Sequence, residues 1–373
     1  MVLEMNRDRK VRVLHIIPSF ASGGAERVLL GYLKDFQLDD DIELYALSLG
    51  KNGGSIFDKE IEKLGLNVKY AEIDSINDRF SILRKMKAVR KAVKEIKPDI
   101  IHSHLRLVSI VTFATIFNFG LKRIHTIHTV PAIASSGKMG PFDKFCFKYM
   151  NVLPICLNKQ LAHEAEKLYD IKFCEFLYNG IEINKYSGFE NREKLREKLN
   201  IPGDAFVLGH VGRFVPIKNH DFIIDVFNEI QKKNKNSYLM LVGEGPETEN
   251  IKNKCEKLSV KENVIFMGVR TDVNELLQIM DAYIFPSKQE GLGISLIEAQ
   301  AAGLKCIASD TIPAEAFVSK NLIALPLSEP ERWCDEFLNE KTFESDYSGL
   351  ENFSVTEVNK KLKNIYFSKA KGV

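Results

Sequence analysis

Short apolar runs alternate with helical patterns along the chain, and this alternation constrains the fold more than any other feature. Residues 11–17, 42–48, 100–103 and 123–127 predict strands, with helices predicted at 25–36 and 82–96. The pattern then restarts, with strands predicted at 206–210, 238–242, 264–267, 283–286 and 305–308 and helices at 221–232, 246–258, 273–280 and 294–302. Continuous apolar strands separated by helices are typical of parallel sheets. The sequence therefore predicts an α/β protein with two doubly wound, Rossmann-like units in tandem.

Turn residues followed by charge indicate where the first unit ends. Residues 178–181 read Tyr-Asn-Gly-Ile, which favours a turn, and the charged stretch 190–198 comes soon after. We expect domains at 1–180 and 181–352 and a helical segment at 353–373. A length of 373 residues suits two domains.

Composition excludes several classes of protein. The chain carries 52 Lys plus Arg against 50 Asp plus Glu, a net charge of +2, so we expect no nucleic-acid partner. Its six cysteines form no C-x-x-C pair, which argues against a zinc site or a disulfide framework. The first residues lack the long uncharged segment of a secretory signal, and no stretch is long and apolar enough to span a bilayer. We therefore expect a cytoplasmic protein.

Glycines follow the first predicted strand. Gly23 and Gly24 precede a predicted helix, where backbone without Cβ atoms lets N–H groups approach a phosphate. The two glycines do not form the G-x-G-x-x-G motif of NAD-binding proteins. The acidic residue that those proteins carry at the end of the second strand is also missing. An ordinary turn remains the alternative.

Two cations occupy the corresponding position in the second unit. Arg213 and Lys218 lie five residues apart, between a predicted strand and a predicted helix. Two positive side chains beside a helix N-terminus form a suitable diphosphate site. A solvated loop with ordinary surface charges is the alternative.

The segment after strand 283–286 carries the most information. Glu290 lies in a glycine-bracketed loop with Gly291, Leu292 and Gly293, and Glu298 lies on the helix that follows. Carboxylates accept hydrogen bonds from the neighbouring hydroxyls of sugars and riboses. Glu298 has mostly apolar neighbours, and a carboxylate among such neighbours needs a partner.

This segment, EGLGISLIEAQAAGL preceded by FPS, resembles the donor-site motif of glycosyltransferase family 4. The segments GGAERV, YNGIE, GRFVPIKN, LVGEGP and FMGVRTDV occur in the family's order. The resemblance implies a GT-B fold, in which two facing Rossmann-like domains enclose a cleft. The N-terminal domain would bind the acceptor and the C-terminal domain the nucleotide sugar. The last helix would return to the N-terminal domain.

The resemblance also implies roles for individual residues. Arg213 and Lys218 would hold the donor's diphosphate. Glu290 would bind hydroxyls of the transferred sugar, beside the backbone N–H groups of residues 291–293. Glu298 would hold the ribose hydroxyls.

Further donor contacts follow from the same resemblance. The backbone of Val269 and Arg270 would contact the nucleobase, and Gly23 and Gly24 would approach the diphosphate. His128 would lie near the donor sugar, where its ring or carbonyl would stabilise charge at the anomeric carbon or orient the acceptor.

The implied reaction is a retaining transfer without a protein nucleophile, in which the departing diphosphate accepts the acceptor's proton. A UDP-sugar is the commonest donor in the family, and the acceptor would be a hydroxyl of a sugar or lipid-linked glycan, as in the synthesis of cell-surface polysaccharide or glycolipid. We expect no cofactor and no metal. Residues 39–41, three consecutive Asp, resemble a metal-binding D-x-D but lie away from the expected site. A sugar-nucleotide 2-epimerase of the same fold is the alternative function.

Residues 79–97 predict a basic amphipathic helix, with eight Lys or Arg and one Glu. Such a helix is attracted to anionic lipid, which would place the protein peripherally at the inner face of the cell membrane. Alternatively, the helix is a solvated outer helix of the first unit, with its apolar stripe packed on the sheet.

Overall fold

The computed structural model describes residues 9–21, 23–73, 81–134, 140–186, 192–339 and 349–371. The chain divides into two compact units. Unit 1 comprises residues 1–180 together with 356–373, and unit 2 comprises residues 181–355. The C-terminal helix therefore belongs to unit 1, although the rest of that unit precedes unit 2 in sequence.

Unit 1 contains a seven-stranded parallel sheet in the order β3-β2-β1-β4-β5-β6-β7. Its strands are β1 (Val11–Ile17), β2 (Ile42–Ser48), β3 (Val68–Tyr70), β4 (Ile100–His104), β5 (Lys122–Ile127), β6 (Val152–Cys156) and β7 (Glu175–Phe176). Its helices are α1 (Gly24–Asp35), α2 (Ile56–Leu64), α3 (Ser81–Ile96), α4 (Val108–Ala114), α5 (Pro131–Ala134), α6 (Gly140–Tyr149), α7 (Lys159–Tyr169) and the C-terminal α14 (Val355–Lys371).

Unit 2 contains a six-stranded parallel sheet in the order β10-β9-β8-β11-β12-β13. Its strands are β8 (Phe206–Val211), β9 (Ser237–Val242), β10 (Val264–Gly268), β11 (Ala282–Phe285), β12 (Lys305–Ser309) and β13 (Leu322–Leu325). Its helices are α8 (Arg192–Lys198), α9 (His220–Lys233), α10 (Thr248–Lys257), α11 (Val273–Ile279), α12 (Ile294–Ala301) and α13 (Pro330–Leu338).

Each sheet has a point where the strand order reverses. In unit 1 the reversal lies between β1 and β4, and in unit 2 it lies between β8 and β11. At such a point the loops leaving two neighbouring strands turn to opposite faces of the sheet and leave a crevice at their carboxyl ends. These two edges are therefore where ligand-binding side chains are expected.

The interiors are apolar, as the continuous strand patterns predict. Ile16 and Ile17 of β1 and Ile284 and Phe285 of β11 have no solvent exposure. Within the described residues, no helix combines the length and the apolarity required to cross a bilayer.

Candidate functional site

The loop after β8 carries both predicted cations, and backbone hydrogen bonds join it to the loop after β9. The N–H of Gly212 donates to Val242 O at 2.9 Å, and the N–H of Phe214 donates to Glu244 O at 2.9 Å. Gly245 packs so closely that a Cβ there would lie 2.2 Å from the carbonyl oxygen of Phe214. The strand-end loops thereby fix the backbone on both sides of Arg213.

Arg213 and Lys218 differ in their surroundings. Arg213 is exposed, and its guanidinium makes no hydrogen bond or ion pair with the residues that the structure describes. Lys218 closes a short 3-10 turn (Pro216–Lys218) and is largely buried. Its Nζ lies 2.5 Å from Oε1 of Glu290 and 5.3 Å from the centre of the Phe285 ring.

The Lys218–Glu290 pair joins the loops after β8 and β11, the two strands at the reversal point of unit 2. Both strands are parallel and adjacent, so their carboxyl ends meet at one edge. The structure thus brings together two of the residues predicted to bind the donor, although they are 72 positions apart in sequence.

Glycine is required where the Glu290 loop enters α12. Gly293 adopts a left-handed conformation, with φ of 79°, immediately before the first residue of the helix. A Cβ at this position would lie 3.1 Å from the Phe285 ring. The N–H groups of the first turn of α12 accordingly start at the carboxyl edge, where a helix N-terminus favours anions.

Glu298 is buried inside unit 2 rather than exposed on a helix surface. Only 1% of the residue is accessible to solvent, and Oε1 accepts a hydrogen bond of 2.7 Å from the hydroxyl of Tyr186. The apolar neighbours of Glu298 in the sequence predicted that its carboxylate needs a partner. They did not point to Tyr186, because that residue precedes α12 by more than one hundred positions.

Val269 and Arg270 follow β10, next to the loops already described. Gly243 N donates to Gly268 O at 2.8 Å, which connects the ends of β9 and β10. The guanidinium of Arg270 makes a bidentate pair with the carboxylate of Asp272, and this hydrogen bonding lowers the pKa of Asp272. The predicted contact of the backbone of Val269 and Arg270 with a nucleobase stays a prediction.

Two family models match this chain. The model described as Glycosyltransferase Family 4 matches residues 22–185, and the model described as Glycosyl transferases group 1 matches residues 191–325. Together they span most of the chain. The chain belongs to this glycosyltransferase family.

Relatives of the transferase cover most of its length. It is 26% identical over 342 residues to the putative glycosyltransferase EpsF of Bacillus subtilis, covering 87% of this chain and 86% of EpsF. It is 25% identical over 317 residues to an Escherichia coli UDP-Gal:alpha-D-GlcNAc-diphosphoundecaprenol alpha-1,3-galactosyltransferase, covering 81% and 80% of the two chains.

A solved structure supports the fold. Anabaena HepE in complex with UDP and glucose matches with a TM-score of 0.80 at 18% identity, over 96% of this chain and all of HepE. With the two parallel sheets, this similarity confirms the predicted GT-B fold.

In unit 1 of the transferase, Gly23 and Gly24 begin α1 at the end of the loop after β1. A Cβ on Gly23 would lie 2.1 Å from Oε2 of Glu26, which is the end of a flexible side chain. The predicted contact of both glycines with the diphosphate stays a prediction.

His128 follows the last residue of β5 and is half-buried. Burial lowers its pKa to about 4, so the ring is neutral at pH 7. Its Nε2 lies 2.9 Å from Nδ1 of His104, a contact that was not predicted from the sequence.

The Asp-rich segment 39–41 lies before β2, at the amino edge of the unit 1 sheet. Nζ of Lys363 lies 2.9 Å from Asp39 Oδ2 and 2.7 Å from Asp41 Oδ2. These two carboxylates therefore hold α14 against the rest of unit 1.

Proposed function

We propose that this protein transfers a sugar from a UDP-sugar to a hydroxyl of a lipid-linked or polysaccharide acceptor, with retention of the anomeric configuration. The Lys218–Glu290 pair carries the proposal. A cation suited to phosphate and a carboxylate suited to sugar hydroxyls lie 2.5 Å apart at the carboxyl edge of unit 2.

In this mechanism, binding of the diphosphate separates the pair. Lys218 and Arg213 turn to the phosphate oxygens, and the released Glu290 accepts hydrogen bonds from the sugar. Glu298 holds the ribose, and the N–H groups at the start of α12 face the developing negative charge of the leaving group. Fixed charges and dipoles that match this developing charge lower the barrier. His128 remains neutral and assists at the anomeric carbon or orients the acceptor.

No metal ion is assigned to this reaction, because two cationic side chains supply the countercharge of the diphosphate. Transfer in excess chelator at an unchanged rate would support this assignment. Loss of transfer that magnesium or manganese restores would contradict it.

The choice of donor and acceptor is supported by the names of similar proteins. Solved structures of HepE contain UDP, UDP and glucose, or UDP-glucose. The E. coli relative is named for UDP-Gal and a diphosphoundecaprenol acceptor, and a Staphylococcus aureus relative is named for capsular polysaccharide biosynthesis.

A lipid-linked acceptor would require contact with a membrane, and the surface of unit 1 supports such contact. Within α3, Arg84, Lys87, Arg90, Lys91 and Lys94 are exposed. Most of the apolar stripe of α3 packs on the core of unit 1, as the solvated-helix alternative required, so attraction to lipid would be mainly electrostatic.

Exposed apolar groups occur on α3 itself and on α6, and both of these helices pack against α4. Ile82 and Leu83, in the first turn of α3, are 44% and 63% exposed, and Phe142 and Phe145 of α6 are 50% and 45% exposed. We propose that anionic lipid binds this side of unit 1. Arg79, part of the predicted basic helix, lies outside the described residues.

The experiment that tests the function supplies UDP-sugars with lipid-linked and soluble acceptors and assigns the product by NMR. An α-linked product from an α-linked donor supports retaining transfer, and a β-linked product contradicts it. Incubation with donor alone separates the 2-epimerase alternative, since only an epimerase converts the free donor to its epimer.

A further inference from the structure

Five of the eight histidines lie on or next to the three central strands of unit 1. His15 is in β1, His102 and His104 are in β4, His125 is in β5 and His128 follows β5. In the register of β1 and β4, His15 lies opposite His102. In the register of β4 and β5, His104 lies opposite Thr126. Because side chains alternate along a strand, His102 and His104 share one face of the sheet, and Thr126 and His128 share the corresponding face of β5.

On this face, six side chains form a continuous hydrogen-bonded series that we call the imidazole network. Its links run from His128 Nε2 to His104 Nδ1 (2.9 Å), from His104 Nε2 to His15 Nδ1 (2.8 Å), from His15 Nε2 to the Tyr366 hydroxyl (3.1 Å), from that hydroxyl to His102 Nδ1 (2.8 Å), and from His102 Nε2 to Thr126 Oγ1 (2.7 Å). Tyr366 is contributed by α14, which joins the network from the other end of the chain.

Burial keeps the imidazoles neutral. It lowers the pKa of His15 to about 3 and those of His102 and His104 well below their usual value. Burial also raises the pKa of the Tyr366 hydroxyl far above its usual value, so this group keeps its proton. A neutral imidazole donates from one ring nitrogen and accepts at the other.

When the buried hydroxyl of Tyr366 donates to one of its two imidazole neighbours, neutral rings in series leave the network two consistent arrangements. In one, His128 donates from Nε2 to His104, every later link points the same way, and Nδ1 of His128 is an acceptor. In the other, every link is reversed and Nδ1 of His128 carries the proton. Among the described residues, Nδ1 of His128 has no hydrogen-bond partner. The network therefore determines what the open nitrogen of His128 offers to a ligand.

His15, His102 and His104 have ligand nitrogens within 4.8 Å of one another, a spacing that would also suit a metal ion. The ring nitrogens of all three, however, already have hydrogen-bond partners within the network. Hydrogen bonds within the network thus use both ring nitrogens of each of these three histidines, and none of these nitrogens is left to coordinate a metal ion.

We propose that His104, His15 and Tyr366 are positioning residues for the transfer reaction, and that they hold His128 in a fixed orientation and a single tautomer with Nδ1 presented to the substrate. The proposal rests on the proposed function, because it assumes that His128 acts in sugar transfer. It adds a role for the C-terminal helix, since Tyr366 is the link between the two halves of the network.

The first test uses the wild-type protein without substrate. Nitrogen-15 NMR of the imidazoles at pH 7 distinguishes protonated, neutral and exchanging rings. We expect His15, His102, His104 and His128 each to be neutral and in one tautomer. An imidazolium at any of them would overturn the network, as would one equivalent of tightly bound zinc in the purified protein. A tautomeric mixture would overturn the proposed single tautomer of His128.

The second test compares Tyr366→Phe with Ser103→Ala. Each substitution removes a hydroxyl that bonds to a buried imidazole. Oγ of Ser103, however, lies 2.8 Å from Nδ1 of His125, and His125 is not part of the network. Tyr366→Phe should lower kcat about tenfold, leave the KM for the donor within about twofold, and change the His128 spectrum. Ser103→Ala should change neither kcat nor that spectrum.

The outcomes separate the two proposals. If the wild-type protein transfers sugar and Tyr366→Phe retains the wild-type kcat, or if both variants lose kcat equally, the positioning role is wrong while the proposed function stands. If the wild-type protein transfers no sugar from any nucleotide donor, the proposed function fails, and the spectra still decide whether the network exists. Should Tyr366→Phe fail to fold, the wild-type spectra alone decide the network.

Discussion

Nζ of Lys218 lies 2.5 Å from Oε1 of Glu290, in the loops that follow β8 and β11, two neighbouring strands of unit 2. The two side chains are predicted to bind different parts of one ligand, the diphosphate and the sugar. In this arrangement the two side chains neutralise each other. The donor must then replace this ion pair, which favours a ligand carrying both a phosphate and hydroxyls.

We predict that Lys218→Ala and Glu290→Gln each reduce kcat/KM for transfer by at least about 100-fold, because each removes a group that stabilises the charged transition state. Thermal unfolding should change little, since both residues lie at the edge of the sheet. Lys288→Ala is the matched control, because Lys288 is an exposed cation in the same loop. Near-normal turnover in either variant would refute the assigned roles.

Tyr186→Phe should weaken donor binding by about fivefold or more, because the hydroxyl donates to the buried carboxylate of Glu298. Loss of this buried hydrogen bond should also lower the free energy of unfolding by about 1–3 kcal/mol. Calorimetric titration with the donor and urea unfolding measure the two effects. Tyr238→Phe is a suitable control, and equal donor affinity in both variants would argue against a role for Glu298 in binding ribose.

Acidification should destabilise unit 1 in the range from pH 7 to 5.5. Burial lowers the pKa of His15 and His125 to about 3 and that of His128 to about 4, and it lowers those of His102 and His104 as well. In the unfolded chain these histidines gain protons below about pH 6.5, whereas in the folded unit they do not, so stability falls as the pH falls.

Each such histidine should lower the free energy of unfolding by about 1 kcal/mol over this range. Urea unfolding followed by circular dichroism at pH 7 and pH 5.5 measures the change. His125→Gln should make this loss of unfolding free energy smaller by the share of one histidine. His163→Gln, at an exposed position, should leave the loss unchanged. A pH-independent unfolding midpoint would contradict the buried neutral state of these rings.

The membrane proposal predicts that the protein sediments with vesicles of phosphatidylglycerol and phosphatidylcholine at low salt and is released at high salt, because salt screens charge attraction. Replacement of Lys87, Lys91 and Lys94 by Glu should abolish sedimentation. The same charge change at Lys232, Lys235 and Lys257 in unit 2 is the control. Salt-insensitive binding, or equal binding by both triple variants, would exclude α3 as the lipid-binding surface.

Sequence patterns predicted the central strands well because these strands are buried on both faces. The bounds predicted for β1 and β2 agree with the structure, and those of β4, β5 and the unit 2 strands other than β13 differ by one residue at one or both ends. The strands β3, β6, β7 and β13 were not predicted. Two of these are only two or three residues long, and β6 contains Pro154, which weakens a strand pattern.

For the candidate site, the sequence predicted residue types but not their partners. The glycines around Glu290 mark a loop that approaches a ligand, and this feature is visible in local sequence. The contacts of Glu298 with Tyr186 and of His128 with His104 depend on which strands and segments become neighbours in the fold. Both are set by tertiary packing, which local patterns do not encode.

The central claim is that the carboxyl edge of the unit 2 sheet binds a nucleotide diphosphate sugar through Lys218 and Glu290. Calorimetric titration of the full-length protein with UDP-sugars, and with the corresponding GDP- and ADP-sugars, tests it most directly. We predict that one donor binds with one-to-one stoichiometry, that Lys218→Ala weakens binding at least about tenfold, and that Lys288→Ala binds as the wild type does. Equal affinity in the wild type and Lys218→Ala, or no binding of any nucleotide sugar, would contradict the account.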